Sequence, residues 1–229
     1  LARKTAPKKR RTRPESSVVV IGLGRFGRAL ALELVDEDTE VLGIDEQAEV
    51  VQSLAGSLTH VVRADSTKED ALRQLGVHEF DRAVVAIGTD LEASILTASL
   101  LISFGIRSVW AKAISEAHGR ILAQLGVHHV VYPEHDMGQR VAHLVRGRML
   151  DYIEFDDDFA MVKTAPPAGI IGLPLADTAV RSRHGVTVVA IKRPGEGFTY
   201  ATPETVVRAE DTIIVAGRTR ATERFSELQ

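Results

Sequence analysis

The chain is 229 residues long and 45% hydrophobic, with 28 Lys and Arg against 31 Asp and Glu, a net charge of −3 and no cysteine. Disulfides, thiolate catalysis and cysteine-held zinc or iron–sulfur centres are excluded. No apolar run reaches the about 20 residues that span a bilayer, so the expectation is a cytoplasmic protein with no direct membrane insertion. The charge is uneven: Arg3, Lys4, Lys8, Lys9, Arg10, Arg11 and Arg13 give +7 with no acid among residues 1–13, which with −3 overall leaves −10 on the rest. A body that acidic argues against nucleic acid as a partner, and residues 1–16 read as a solvated, disordered basic tail.

The run Val18-Val19-Val20-Ile21 predicts a strand, and Gly22, Gly24 and Gly27 follow it at G-x-G-x-x-G spacing. A helix over 25–36, apolar at Phe26, Ala29, Leu30 and Leu34, comes next, then a second strand over 40–44 that runs into Asp45. Strand, glycine turn, helix and a downstream acid together make the phosphate turn of dinucleotide-binding sheets. Gly22 supplies the tight turn, Gly24 lets the backbone approach a pyrophosphate, and Gly27 lets helix pack on strand. The helix N-terminus aims its free N–H groups at the phosphates. Asp45 falls where a carboxylate accepts from a ribose diol and repels a 2′-phosphate, which disfavours NADP.

Further strands are predicted at 59–63, 82–87, 107–111 and 128–132, and helices at 46–56, 67–76, 90–104 and 115–125, with Gly76, Gly105 and Gly126 at helix ends. The pattern is α/β: a Rossmann-like doubly wound parallel sheet over 17–133, ordered 3-2-1-4-5-6. The 90–104 helix is expected to be heavily buried, with Leu91, Ile95, Ala98 and Ile102 on one face and Leu96 and Leu100 on another. Asp65, after the third strand, is placed to accept from an adenine amine, with helix capping an equal alternative. Gly88, read as ending the fourth strand, lets backbone come close to a ligand. Arg25 either reaches phosphate oxygens or is a solvated surface arginine. Lys112 either faces the ligand edge of the sheet or is a simple surface lysine.

The sheet is complete by 133. A helix over 134–149, apolar at Met137, Val141, Leu144, Val145 and Met149, therefore needs a partner, and an isologous contact with a second subunit is favoured. Past it, short β-like runs at 151–155, 159–164, 186–192, 198–200 and 211–216 and helices at 175–183 and 218–227 describe a small α+β domain over 151–229. The histidines lack metal-ligand spacing, and His118, His143 and His184 are isolated. With no evident His–Asp pair or Tyr-x-x-x-Lys beside the turn, the chain reads as a sensor and not an enzyme.

Four segments, VIGLGRFG at 20–27, VAIG at 85–88, VWAK at 109–112 and YPEHDMG at 132–138, give the chain a resemblance to the regulatory subunits of Ktr- and Trk-type potassium-uptake systems. Those are built from an RCK domain of the TrkA-N kind followed by a TrkA-C domain. The resemblance implies a non-enzymatic cytosolic subunit that gates an integral-membrane potassium-translocating partner. It implies a homodimer through the segment 134–150, assembled into an octameric ring, with ATP and ADP competing for the glycine-turn cleft. Asp45 then holds ribose, Asp65 adenine and Arg25 the terminal phosphates, while Glu134 lies near the phosphates and a divalent cation such as Mg. The residues expected to touch nucleotide are Gly22, Leu23, Gly24, Arg25, Phe26, Gly27, Asp45, Asp65, Ser66, Ile87, Gly88, Lys112 and Glu134, with Glu134 also the metal residue. NAD(H) is a further ligand of some such proteins, and cyclic di-AMP of the C-terminal domain, near 179–183. The alternatives are an NAD(H)-sensing Trk-type regulator and a short NAD-dependent oxidoreductase.

Overall fold

The computed structural model of the protein describes residues 17–146, 149–155 and 158–228; the basic tail predicted over 1–16 lies outside them. The chain divides into two compact units, one ending at Glu134 and the other beginning at His135.

In the first unit, β1 (Ser17–Ile21), β2 (Glu40–Asp45), β3 (His60–Arg63), β4 (Arg82–Val85), β5 (Ser108–Lys112) and β6 (His129–Val131) alternate with α1 (Arg25–Asp36), α2 (Ala48–Ser53), α3 (Glu69–Gln74), α4 (Leu91–Ser103) and α5 (Glu116–Gln124). The strands pair in parallel in the order β3-β2-β1-β4-β5-β6, the doubly wound sheet that the pattern predicts. Strand side chains point alternately to opposite faces. Val19 and Ile21 accordingly join one core with Leu72, Leu101 and Leu122, while Val18 and Val20 join another with Leu54 and Leu58. Being buried on both faces makes β1 a continuous apolar run. Gly76, Gly105 and Gly126 take positive φ of 71°, 74° and 89° after their helices, where an L side chain would be strained.

Two expectations need correction. Strand β4 ends at Val85, so Gly88 belongs to the following loop. Of the two apolar stripes read on α4, only Ala98 is buried; the face turned inward is Ser94, Thr97, Ala98 and Leu101, and Leu91 and Leu96 are exposed. A helix apolar nearly all round has no stripe to choose its face by, and here the small hydroxyl side chains pack inward.

In the second unit, β7 (Met149–Phe155), β8 (Phe159–Thr164), β9 (Val186–Lys192), β10 (Phe198–Tyr200) and β11 (Thr212–Arg218) form an antiparallel sheet ordered β10-β9-β11-β8-β7. Its buried face carries Val162, Val186, Val188, Ile213 and Val215, and α9 (Thr219–Ser226) packs Ala221 and Phe225 into the same core. The expected helix over 175–183 is two short ones, α7 (Leu175–Thr178) and α8 (Val180–His184), broken at Ala179, whose φ is +51°.

Helix α6 (Pro133–Arg146) starts in the first unit and continues into the second. Met149 is not on it: that residue opens β7 and is buried in the second core. Within the second unit, Arg140 donates to Asp151 at 2.5 Å, and His143 pairs with Glu223 at 2.7 Å while stacking on Tyr152. His143 is therefore not isolated. Met137, Val141 and Val145 are exposed.

Candidate nucleotide cleft

The C-terminal ends of β1, β2, β4 and β5 open onto a crevice of about 780 Å³, within the about 300–1,000 Å³ usual for small-molecule sites. It is lined by the glycine turn, Asp45, Asp65, the loop after β4, Lys112 and Glu134. It lies outside the strand ends where the order reverses about β1, the place at which open α/β sheets bind ligands.

The three glycines of the turn have different reasons to be glycine. Gly22 has φ +87°, donates its N–H to Ile44 O at 2.8 Å, and a Cβ there would stand 2.9 Å from Ile87. At Gly27 a Cβ would lie 1.9 Å from the Gly22 carbonyl oxygen, so α1 presses directly on the turn. Gly24 differs: its backbone is extended, and a Cβ would meet nothing within 4 Å. Gly24 is also the N-cap of α1 and offers no side-chain cap. The first amides of a helix have no partner inside it, so those of α1 face the crevice uncapped and with the positive end of the dipole. Open space, unpartnered donors and positive potential at one spot fit a phosphate group.

Asp45 holds this turn in shape. Its Oδ2 accepts from Leu23 N at 2.7 Å and its Oδ1 from Gln47 N at 2.9 Å. Leu23 itself is buried; a Cβ on Gly43 would strike its side chain at 3.0 Å, so Gly43 makes the room that Leu23 fills. A carboxylate oxygen has further lone pairs, which leaves Asp45 able to accept from ribose hydroxyls as well.

Asp65 is not a helix cap. The N-cap of α3 is Lys68, and Asp65 Oδ1 instead accepts from Thr67 N at 2.9 Å and Thr67 Oγ1 at 2.6 Å, closing a tight turn. The Thr67 hydroxyl, then the Thr67 amide, hold the Asp65 carboxyl below its usual range. Its second oxygen is 3.8 Å from Lys68 Nζ. Ser66 lines the crevice but is largely buried, with its hydroxyl 2.8 Å from that of Thr97 on α4.

At the phosphate end, Arg25 is exposed in the first turn of α1. Lys112 is not a surface lysine: it is buried, and its Nζ is 2.5 Å from Glu134 Oε1. That hydrogen bond foremost, with the charges of Lys112 and Arg25 adding to it, holds the Glu134 carboxyl below the usual range. Gly88 gives its space to this lysine, since a Cβ there would stand 3.0 Å from Nζ. Phe26 lies across the crevice, its ring centroid 6.0 Å from Nζ. Buried His118 takes the Ile114 N–H on Nδ1 at 3.4 Å and so steadies the loop after β5; burial lowers its pKa. Nothing in its local sequence marks that contact. Among the described residues no group of three or more His, Asp or Glu could hold a metal ion, and Glu134 is a single carboxylate already paired. A divalent cation caged by protein alone does not fit here.

A TrkA-N domain model matches residues 18–133 and a TrkA-C domain model residues 159–229. The chain is 36% identical over 209 residues, 91% of its length and 95% of the relative's, to Ktr system potassium uptake protein C of Bacillus subtilis. The chain belongs to the Ktr family of potassium-uptake proteins. This Ktr-family chain is also 34% identical to Ktr system potassium uptake protein A of Vibrio alginolyticus, over 89% of its length and 93% of the relative's. Among solved structures it resembles GsuK, as its RCK domain (TM-score 0.65, 17% identity) and as the channel bound to NAD (TM-score 0.63, 16% identity). It is 96% covered in both, but spans 49% and 40% of those chains; at such identity the likeness concerns the fold. Among the described residues of the Ktr-family chain, no helix is long and apolar enough to cross a membrane.

Proposed function

We propose that the chain is a regulatory subunit of a potassium transporter that senses adenine nucleotide in the glycine-turn cleft and passes its state to a membrane-embedded, ion-conducting partner. The observation that carries the nucleotide reading is the uncapped N-terminus of α1 at Gly24, open to the crevice and next to Leu23, where Asp45 braces the turn. The potassium-uptake names of its relatives support the transport role.

In this reading the amides of α1 hold the phosphates, Asp45 receives the ribose and Asp65 the adenine amine. Arg25 and Lys112 supply positive charge at the far end. Of these, the exposed Arg25 is the group free to follow a third phosphate, which gives ATP a contact that ADP lacks. A ligand shifts a conformational equilibrium only through such a difference between states. The exposed Met137, Val141 and Val145 of α6 suit a homodimer contact, and assembly of dimers into an octameric ring follows from the family resemblance. A divalent cation would arrive with the phosphates, Glu134 contributing at most one oxygen. The cleft serves binding and not hydride transfer, in keeping with its Ktr relatives.

The likeness to an NAD-bound channel favours one second reading, an NAD(H) sensor. Calorimetric titration with ATP, ADP, NADH and cyclic di-AMP separates the two. ATP and ADP binding at the same site, each displacing the other, supports the first; NADH binding with no ATP binding supports the second. A nicotinamide-coupled turnover would overturn both.

A further inference from the structure

We infer that Lys112 and Glu134 form an exchange pair: incoming phosphate takes the Lys112 ammonium as its own counter-ion and releases Glu134 at the head of α6. The inference rests on the nucleotide reading above and adds how the cleft registers occupancy.

A buried ammonium without a counter-charge is strongly unfavourable. Glu134 provides that charge at 2.5 Å. The two partners are unequal, however. The Lys112 side chain is 11% exposed and that of Glu134 63%. The lysine is enclosed at the end of β5, in the space vacated at Gly88. The carboxylate is reached from solvent, and among the described residues it is held by the lysine, its own backbone amide and the nearby charge of Arg25. When an anion competes for this pair, the lysine stays and the carboxylate leaves.

The competing anion has a defined way in. Lys112 faces Phe26 across the crevice and lies against the loop of Gly88, while Gly24 and Arg25 line the same space. A diphosphate carries more negative charge than one carboxylate, and it brings the α1 amides to bear as well. Glu134 left in place would oppose it by like-charge repulsion. Once released, Glu134 stays in the first turn of α6, where a negative charge is favoured by the helix dipole. Phosphate occupancy thereby changes the electrostatic tie at the start of the helix that leads into the second unit.

The test uses the full chain in buffer freed of divalent cations by chelator, with ADP as probe and adenosine as its phosphate-free comparison. Glu134→Gln removes the competing anion, so ADP should bind about fivefold or more tighter and adenosine unchanged. Lys112→Met should lose ADP affinity by about tenfold and keep adenosine, and in that background Glu134→Gln should bring no gain. ADP affinity unchanged or reduced in Glu134→Gln overturns the exchange. A crystal structure of the wild-type protein with ADP gives a second reading that needs no variant. It should place Nζ on a phosphate oxygen with Glu134 beyond 4 Å; a seated ADP with the pair still closed overturns the inference. If the wild-type chain binds neither adenosine nor ADP, the nucleotide reading falls, and the exchange with it.

Discussion

Gly24 and Gly27 stand three residues apart and answer opposite demands, and the difference is measurable. A Cβ on Gly27 would drive into the Gly22 carbonyl, and no rotamer relieves a backbone clash. Gly27→Ala should therefore cost about 3 kcal/mol, read as a lowered urea midpoint. A Cβ on Gly24 meets open space on an extended backbone, so Gly24→Ala should cost about 1 kcal/mol or less, the loss of a tolerable N-cap. It occupies the place proposed for a phosphate, though, and on that reading ADP affinity should fall about tenfold. A stable Gly24→Ala protein with undiminished ADP binding would remove the phosphate from that spot. The two charged residues divide similarly. Asp45 braces Leu23 and Gln47, so Asp45→Ala should weaken ATP and ADP alike. Arg25→Ala should chiefly narrow the preference for ATP over ADP. Equal losses for the two ligands by calorimetry would mean that Arg25 does not read the terminal phosphate.

At the scale of elements, the break between α7 and α8 shows what local sequence leaves out. Residues 175–183 contain no Gly or Pro, so their helical period runs straight through Ala179. The interruption comes from elsewhere in the chain: Leu175 N bonds to Thr205 O and Ala176 N to Pro203 O, which fixes α7 to the 203–205 loop and sets α8 off in a new direction. Alanine in a left-handed conformation costs about 1–2 kcal/mol, so Ala179→Gly should stabilise the second unit by up to about 1 kcal/mol; a lowered melting temperature for that unit would count against this. The glycine turn and sheet order were legible because each rests on residues near in sequence or on strand-by-strand alternation. The inward face of α4 was not, because the Ser66–Thr97 hydroxyl contact that accompanies it spans 31 residues. Nor was the Lys112–Glu134 pair, which needs Gly88 to be in the right place as well. Asp65 was legible as a cleft residue, but its turn with Thr67 was hidden behind an equally good capping pattern.

For the molecule as a whole, several titrating groups push stability the same way. Asp65, Glu134 and Asp151 are held below their usual range by Thr67, Lys112 and Arg140; what they contribute is present above the unfolded carboxylate value and lost as pH falls through the folded one. Burial lowers the pKa of His118, so below about pH 6.5 the unfolded chain takes up a proton that the fold refuses. Stability should fall on acidification in two stages, below about pH 6.5 through His118 and again below about pH 4.5 through the carboxylates, and His118→Gln should flatten the first. The separate cores of the two units lead to a sharper expectation. Each buries its own apolar face, the first around β1 and the second between β11 and α9, so heating should produce two transitions. Ligand that binds only the native first unit stabilises it by RT ln(1 + [L]/Kd), about 2.7 kcal/mol at a hundredfold excess over Kd. For a domain of its size that is about 10 °C. ADP at that excess should move one calorimetric transition upward and leave the other in place, and Gly24→Ala at the same ADP concentration should cut the movement to about half. A single transition that shifts as a whole would instead show the units unfolding as one body, with the nucleotide cleft coupled to the second core even in the isolated chain.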